Sequence, residues 1–430
     1  MSDEKQNNPS SPTSEPDATP SVVLRPLTYP ADGVPEVINT REALAAACTD
    51  LASGSGVIGV DTERAQSFRY TAKAYLVQMR RQGAGTLLID PVAFEDENPR
   101  ADLSGVLDAV GDAEWILHAA TQDLPCLVEV GLRPKRLFDS ELAGRLLNLP
   151  RVGLQPLLES AFGVQLLKEH SAADWSRRPL PEDWLVYAAL DVEMLAELRE
   201  WLMAQLAEAG KTDWAQQEFD YLLDWADTPN APREEPWRRT SGIHQVNAPI
   251  ALAVVRELWT ERDKIAAGSD KAPSKILNDR AISELAGGIT QQNIGSVTRG
   301  TLRGVDGFAW RNAARYESTW LQAVARVAAM PRSSWPAKTL ANDMPQQPRS
   351  WQHRYPEAYA RWMAVRPLVN DLAQGLDVPA ENLLSPEPLR RLAWEPPATT
   401  DEASVSAFLA GYSVRPWQRE AVSGPLAAAL

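Results

Sequence analysis

In Val57-Ile58-Gly59-Val60-Asp61-Thr62-Glu63 a run of small and β-branched apolar residues ends in two acids one position apart. Side chains alternate across a strand, so Asp61 and Glu63 leave the same face at its end. A second apolar run, Trp115-Ile116-Leu117-His118, is followed closely by Asp123. In Tyr187-Ala188-Ala189-Leu190-Asp191 the outer residues stand four apart, which on a helix sets Tyr187 beside Asp191. Four carboxyls gathered at one spot repel each other unless divalent cations neutralise them, and hard oxygen donors suit Mg²⁺ or Mn²⁺. The pattern points to metal-dependent phosphoryl transfer.

Each piece alone has an ordinary explanation. An Asp-x-Glu at a strand end commonly serves a turn, and a Tyr four residues before an Asp is commonly a packed ring beside a solvated acid. Asp123 could accept an N–H at a helix start, and Asp139 after Phe138 reads as such a cap for a helix over 140–148. It is the order of the acids and the residues around them that separates the chain from these explanations.

The element pattern is that of a mixed α/β domain. Residues 57–63, 75–81, 86–90 and 114–120 read as strands, and 101–111, 122–130, 140–148, 154–162 and 181–206 as helices. Pro181, Glu182 and Asp183 make a favourable helix start. A proline-interrupted linker at 228–236 leads into a region with helical periodicity throughout. There Gly268-x-Asp270, Ile276-Leu277 and Leu285-Ala286 recur 107 positions later as Gly375-x-Asp377, Leu383-Leu384 and Leu392-Ala393.

Length and composition allow such an assembly. A chain of 430 residues, 44% hydrophobic, supports roughly three domains. Cys48 and Cys126 are its two cysteines, which argues for core residues in a reducing compartment rather than a disulfide scaffold. No apolar stretch reaches the ~18 residues of a membrane span. The Ser-, Pro- and acid-rich start reads as a disordered tail over 1–26 and not as a signal peptide.

Charge argues against a nucleic-acid partner, because phosphate binding usually shows as a basic domain. The chain carries −14, and residues 27–230 hold 17 Lys and Arg against 33 Asp and Glu. Residues 240–330 reverse the balance with 11 basic and 8 acidic side chains. Local basic strips could still meet a substrate: Arg64, Arg69, Lys73, Arg80 and Arg81; Arg133, Lys135 and Arg136; Arg177 and Arg178.

Taken in order, Asp61-x-Glu63, Asp123 and Tyr187-x3-Asp191 resemble the DEDD exonucleases of the tyrosine type. Phe138-Asp139-Ser140, Leu167-Lys168, Asp174-Trp175, Arg178-Pro179-Leu180 and Tyr187-Ala188-Ala189 extend the resemblance to bacterial ribonuclease D, from about residue 38 to the C-terminus. One departure is Thr121, where the second motif often has Asn two residues before its Asp.

The resemblance implies a ribonuclease H-like α/β domain with a mixed sheet over 27–228. All-α domains of the helicase-and-ribonuclease-D C-terminal (HRDC) type would follow, one over 237–330 and a degenerate second over 333–430. It implies two divalent metals, with Asp61, Glu63 and Asp191 on the nucleophile side, Asp61 bridging, and Asp123 completing the second site. Tyr187 would orient the attacking water; His118, Lys168 and Arg178 are candidate substrate contacts, His118 being otherwise a core histidine at a strand end and Lys168 and Arg178 otherwise touching the active-site helix. The expected activity is 3′-to-5′ trimming of structured RNA, such as tRNA precursors, by a cytoplasmic monomer with no membrane partner. The competing readings are a DNA-directed 3′-5′ exonuclease and a catalytically silent RNA-binding scaffold.

Overall fold

The structure, a computed structural model, describes residues 24–95, 100–166, 172–226, 234–338, 344–345 and 347–430. Among the described residues eight strands occur: β1 Arg25–Leu27, β2 Val37–Ile38, β3 Ser55–Arg64, β4 Ala74–Gln82, β5 Gly85–Ile89, β6 Trp115–Leu117, β7 Leu137–Asp139 and β8 Val164–Leu166. Six form one sheet in the order β2-β5-β4-β3-β6-β7. Its β3-β4-β5 meander is antiparallel, whereas β6, β7 and β2 join in parallel, so the sheet is mixed.

The four strands expected from sequence are present. The short ones were illegible because two or three residues at a sheet edge carry no periodicity. β1 pairs in parallel with β8 through Arg25↔Val164, so the expected tail over 1–26 overruns into ordered chain. The pairing partner lies more than a hundred residues downstream, and nothing local announces it.

β3 is the longest strand and organises the site. β6 covers only its first part, through Ile58↔Trp115 and Gly59↔Ile116, and β3 then runs on with that edge uncovered. The expected helix over 181–206 is in fact two, Glu182–Glu193 and Leu195–Glu208, broken at Met194. The break rests on Gly59. A Cβ there would stand 3.2 Å from both Leu195 Cβ and Val192 O, so only glycine admits the helix junction this close to β3. Asp191 is thereby brought down onto the strand that carries Asp61.

Beyond the nuclease fold every described element is helical. Pro249–Ser269, Pro273–Ile276 and Asp279–Gly287 recur as Pro356–Gly375, Ala380–Leu383 and Pro386–Trp394, each start shifted by the 107 positions seen in the sequence. The first helical unit closes its own core around Val254, Leu258, Trp320 and Val327. The second does not: Trp362, Leu392 and Trp417 share one core with Leu198, Leu202 and Phe219 of the nuclease. Trp417 stacks on Trp214 at 4.6 Å and gives its indole N–H to Glu218 Oε1 at 2.8 Å.

Both units attach through the same corner. Asp270 and Asp377 end their long helices in left-handed conformations, with φ of +43° and +52°. Asp270 Oδ1 accepts from Thr71 N at 3.1 Å and Thr71 Oγ1 at 3.0 Å. Asp377 Oδ1 accepts from Asn148 Nδ2 at 2.8 Å, and its carbonyl takes Lys211 Nζ at 2.7 Å.

Candidate active site

Asp61, Glu63 and Asp191 offer carboxylate oxygens that all lie within 4.8 Å of one another. With Arg64, His118, Gln122, Asp123 and Tyr187 they line a cleft of about 240 Å³. β3 supplies the first two acids in the i, i+2 relation read from sequence, and the helix Glu182–Glu193 supplies Asp191 and Tyr187.

Asp123 arrives by a different route. It precedes the helix Leu124–Glu129 but does not cap it. Its Oδ1 instead accepts the Thr62 hydroxyl at 2.6 Å across the uncovered edge of β3. The turn that presents it is held by Asp139, whose carboxylate takes the N–H groups of Ala119 at 3.1 Å and Ala120 at 2.8 Å while capping the next helix. Ala119 sits there in a left-handed conformation, φ +60°. Asp139 is thus a cap, as expected, and also the brace of the second motif. Thr62 and Gln122 were not singled out in the sequence; both adjoin acids that were, which was the available signal.

The electrostatics of the cleft are those of an acid cluster awaiting cations. Burial first, then the charges of Asp123 and Asp191, push Asp61 well above the ordinary carboxylate range. Glu63 is raised well by burial, then by Asp61, Asp191 and Asp123. Asp191 is raised to about 7, chiefly by burial, against a hydrogen bond from Tyr187 that lowers it. Asp123 rises to about 6 by burial, opposed by Thr62 and Arg64. Burial and the adjacent acids drive the Tyr187 phenol far above its usual range, so it keeps its proton. All-oxygen donors in this number fit hard divalent cations, and binding one would reverse these shifts.

His118 stands on the cleft wall with Nδ1 2.9 Å from Ser140 Oγ, and burial lowers it to about 4, so it is neutral. Arg178 does not face the cleft acids. Its guanidinium is consumed by Asp90, with Nε and Nη2 each at 2.6 Å, and by the carbonyls of Trp175, Arg177 and Tyr75. It ties the loop before the catalytic helix to β4 and β5, a structural use beside the substrate contact expected for it. Lys168 lies outside the described residues.

The basic strips are largely spent in the same way. Lys73 pairs with Glu95 at 2.7 Å, Arg80 with Asp32 at 2.8 Å, and Lys135 with Asp112 at 2.8 Å. Arg69 gives Nε to Ser176 at 2.8 Å. Among the described residues Arg64 is the arginine that lines the cleft. No described helix is long and apolar enough to cross a membrane.

Residues 35–207 match the 3′-5′ exonuclease family, and 344–430 match the 3′ to 5′ exonuclease C-terminal domain. The chain is 30% identical to a ribonuclease D from Acidiphilium cryptum over 366 residues, 84% of this chain and 87% of that one. A ribonuclease D from Jannaschia is 33% identical over 260 residues, and that alignment spans 59% of this chain and 65% of the relative. A protein of known crystal structure from Bifidobacterium adolescentis is 38% identical, with a TM-score of 0.83 over 94% of this chain and 99% of that one. Ribonuclease D of Escherichia coli, at 23% identity and a TM-score of 0.63, shares the fold over 92% of this chain and 98% of its own. By its sequence relatives, its matching domains and its mixed-sheet exonuclease fold, the chain belongs to the ribonuclease D family of metal-dependent 3′-5′ exoribonucleases.

Proposed function

We propose that this chain removes nucleotides one at a time from single-stranded 3′ ends of structured RNA, with tRNA precursors as the physiological class, acting as a monomer in the cytoplasm. The observation that carries the reading is the convergence of Asp61, Glu63 and Asp191 within 4.8 Å, with Tyr187 bonded to Asp191 and Asp123 brought in by Thr62. Water adds to the phosphorus of the terminal phosphodiester, the bond to the preceding 3′ oxygen breaks, and a nucleoside 5′-monophosphate leaves.

In this reading Asp61, Glu63, Asp123 and Asp191 hold two divalent cations, Mg²⁺ or Mn²⁺. When bound, such ions supply positive charge that acidifies the attacking water and stabilises the departing oxygen. Tyr187 is a positioning group: a phenol held protonated cannot serve as base, but its hydroxyl can fix the water beside Asp191. Arg64 offers the cleft a cation for the scissile phosphate. His118, neutral and anchored through Nδ1, presents its other nitrogen to the terminal nucleotide. The helical units are assigned to the HRDC type, one at 237–330 and one at 333–430.

The test incubates purified protein with 3′-labelled and 5′-labelled RNA, and with matched DNA, with and without Mg²⁺ or Mn²⁺. Metal-dependent release of labelled mononucleotide from the 3′ end of RNA, with slower loss from DNA, is expected. Equal or faster digestion of DNA would move the chain to DNA processing, and no hydrolysis under any metal would leave a binding scaffold.

A further inference from the structure

We infer that the second helical unit grips the body of the RNA, through an arginine-lined groove on the helix Pro356–Gly375. The inference rests on the reading of RNA as substrate. The groove measures about 610 Å³ and is lined by Arg349, Tyr359, Trp362, Met363, Arg366 and Arg390, among others. It opens onto a neighbouring depression of about 320 Å³ that shares Trp362, Arg366 and Arg390.

Many arginines of the helical units are held by acids, but two in this groove are not. In the first unit, Arg299 and Arg303 both pair with Glu317, Arg326 with Glu257 and Glu261, and Arg262 with Asp279. Lys271, Lys275, Arg311 and Arg315 of that unit are exposed and, among the described residues, have no carboxylate partner, so what sets the second unit apart is its groove and not a larger free charge. Arg349 and Arg366 are exposed, and among the described residues no carboxylate pairs with either. Only Arg390 is engaged, to Glu387 at 2.6 Å, which fixes it as the groove wall.

The floor fits bases as the rim fits phosphates. The Arg366 guanidinium lies 5.5 Å from the Trp362 ring centroid, which pre-orients its plane. Met363 is 53% exposed beside it, so an apolar surface lies within the positive rim. Unstacked bases settle on apolar side chains and arginine planes while the backbone follows the positive charge. That combination selects a looped or single-stranded stretch of the RNA whose 3′ end occupies the acidic cleft. Because this unit shares its core with the nuclease, RNA held there is held at a fixed distance from the acids.

The experiment uses the full chain carrying Asp191→Asn, so that RNA survives, and titrates a labelled tRNA precursor by fluorescence anisotropy between 50 and 200 mM salt. Arg349→Ala with Arg366→Ala should weaken binding about tenfold and flatten the slope of log affinity against log salt by about 1.4, two phosphates at ~0.7 each for single strands. Arg349→Lys with Arg366→Lys should keep the slope. Placed in the otherwise native chain, the alanine pair should leave hydrolysis of a five-nucleotide RNA unchanged, since that substrate spans only the cleft. Unchanged affinity and slope in the alanine pair would overturn the inference. Failure of the native chain to cleave the short RNA would instead overturn the exonuclease reading, leaving the binding result to stand by itself.

Discussion

Thr62 and Asp123, sixty-one positions apart, are joined by a hydrogen bond of 2.6 Å that ties the strand of the first two acids to the turn of the third. Thr62 alternates with Asp61 and Glu63 on β3, so the residue between two acids is the one that recruits another. Replacing it by valine keeps the shape and deletes the donor. Thr62→Val should raise the Asp123 pKa further and weaken Mn²⁺ binding by about 10–100-fold, the scale typical of outer-shell partners. Calorimetric titration that finds native Mn²⁺ affinity would show the bond to be incidental.

Asp191→Asn should lose more than about 10²-fold in hydrolysis, because removing a ligand exceeds the loss of an outer-shell partner. The apo protein should melt no lower than native, since a carboxyl raised chiefly by its burial, and then by Asp123, is replaced by a neutral amide. Substantial residual activity at saturating metal would remove Asp191 from the ligand set.

Tyr187→Phe should slow cleavage by roughly 10²–10⁴-fold but, unlike Asp191→Asn, keep metal affinity, because a positioned hydroxyl is lost and the acids remain. Native rates in this variant would reduce the tyrosine to packing against Trp175, whose ring lies 6.4 Å away.

Gly59→Ala tests the helix junction. The added methyl would meet Leu195 Cβ and Val192 O at 3.2 Å, tighter than ordinary contact. Asp191 shares that helix, and a displacement of about 1 Å can cost 10²-fold in rate. Activity should fall steeply while the protein remains folded; full activity would mean that the junction yields without moving Asp191.

Metal-free stability should fall as pH rises from about 6.5 to 8. Asp191 has a native pKa of about 7, above its unfolded value of 3.8, so the native state holds more protons through that window. His118, lowered to about 4, acts oppositely, because the unfolded imidazole with its pKa of 6.5 takes a proton that the native one refuses; above 6.5 this offsets only part of the Asp191 effect. Divalent metal must displace the carboxyl protons, so Mn²⁺ should raise the melting temperature more at pH 8 than at pH 6. Scanning calorimetry showing a metal-free melting temperature that climbs from 6.5 to 8 would contradict this account of the acids.

What the sequence disclosed and what it withheld follow from the range of the interactions. Asp61 with Glu63, and Tyr187 with Asp191, are local pairs whose geometry is set by strand and helix periods, and their relation could be read directly. Asp123 could be named by order and resemblance, but its bond to Thr62 depends on β6 stopping short of β3, a fact of pairing register. Arg178 looked like a phosphate contact because nothing in its neighbourhood reveals Asp90, eighty-eight positions upstream. Likewise the break at Met194 has no proline or glycine to mark it; its cause is Gly59, on another element.

The corner shared by Asp270 and Asp377 bears on how the helical units are mounted. Two helical motifs 107 positions apart present the same projecting aspartate to receiving surfaces that differ entirely, a Tyr70–Thr71 loop in one case and Asn148 with Lys211 in the other. One kind of attachment point thus serves two receptors, and the mounting does not dictate the rest of the unit: one keeps a self-contained core while the other shares its core with the enzyme.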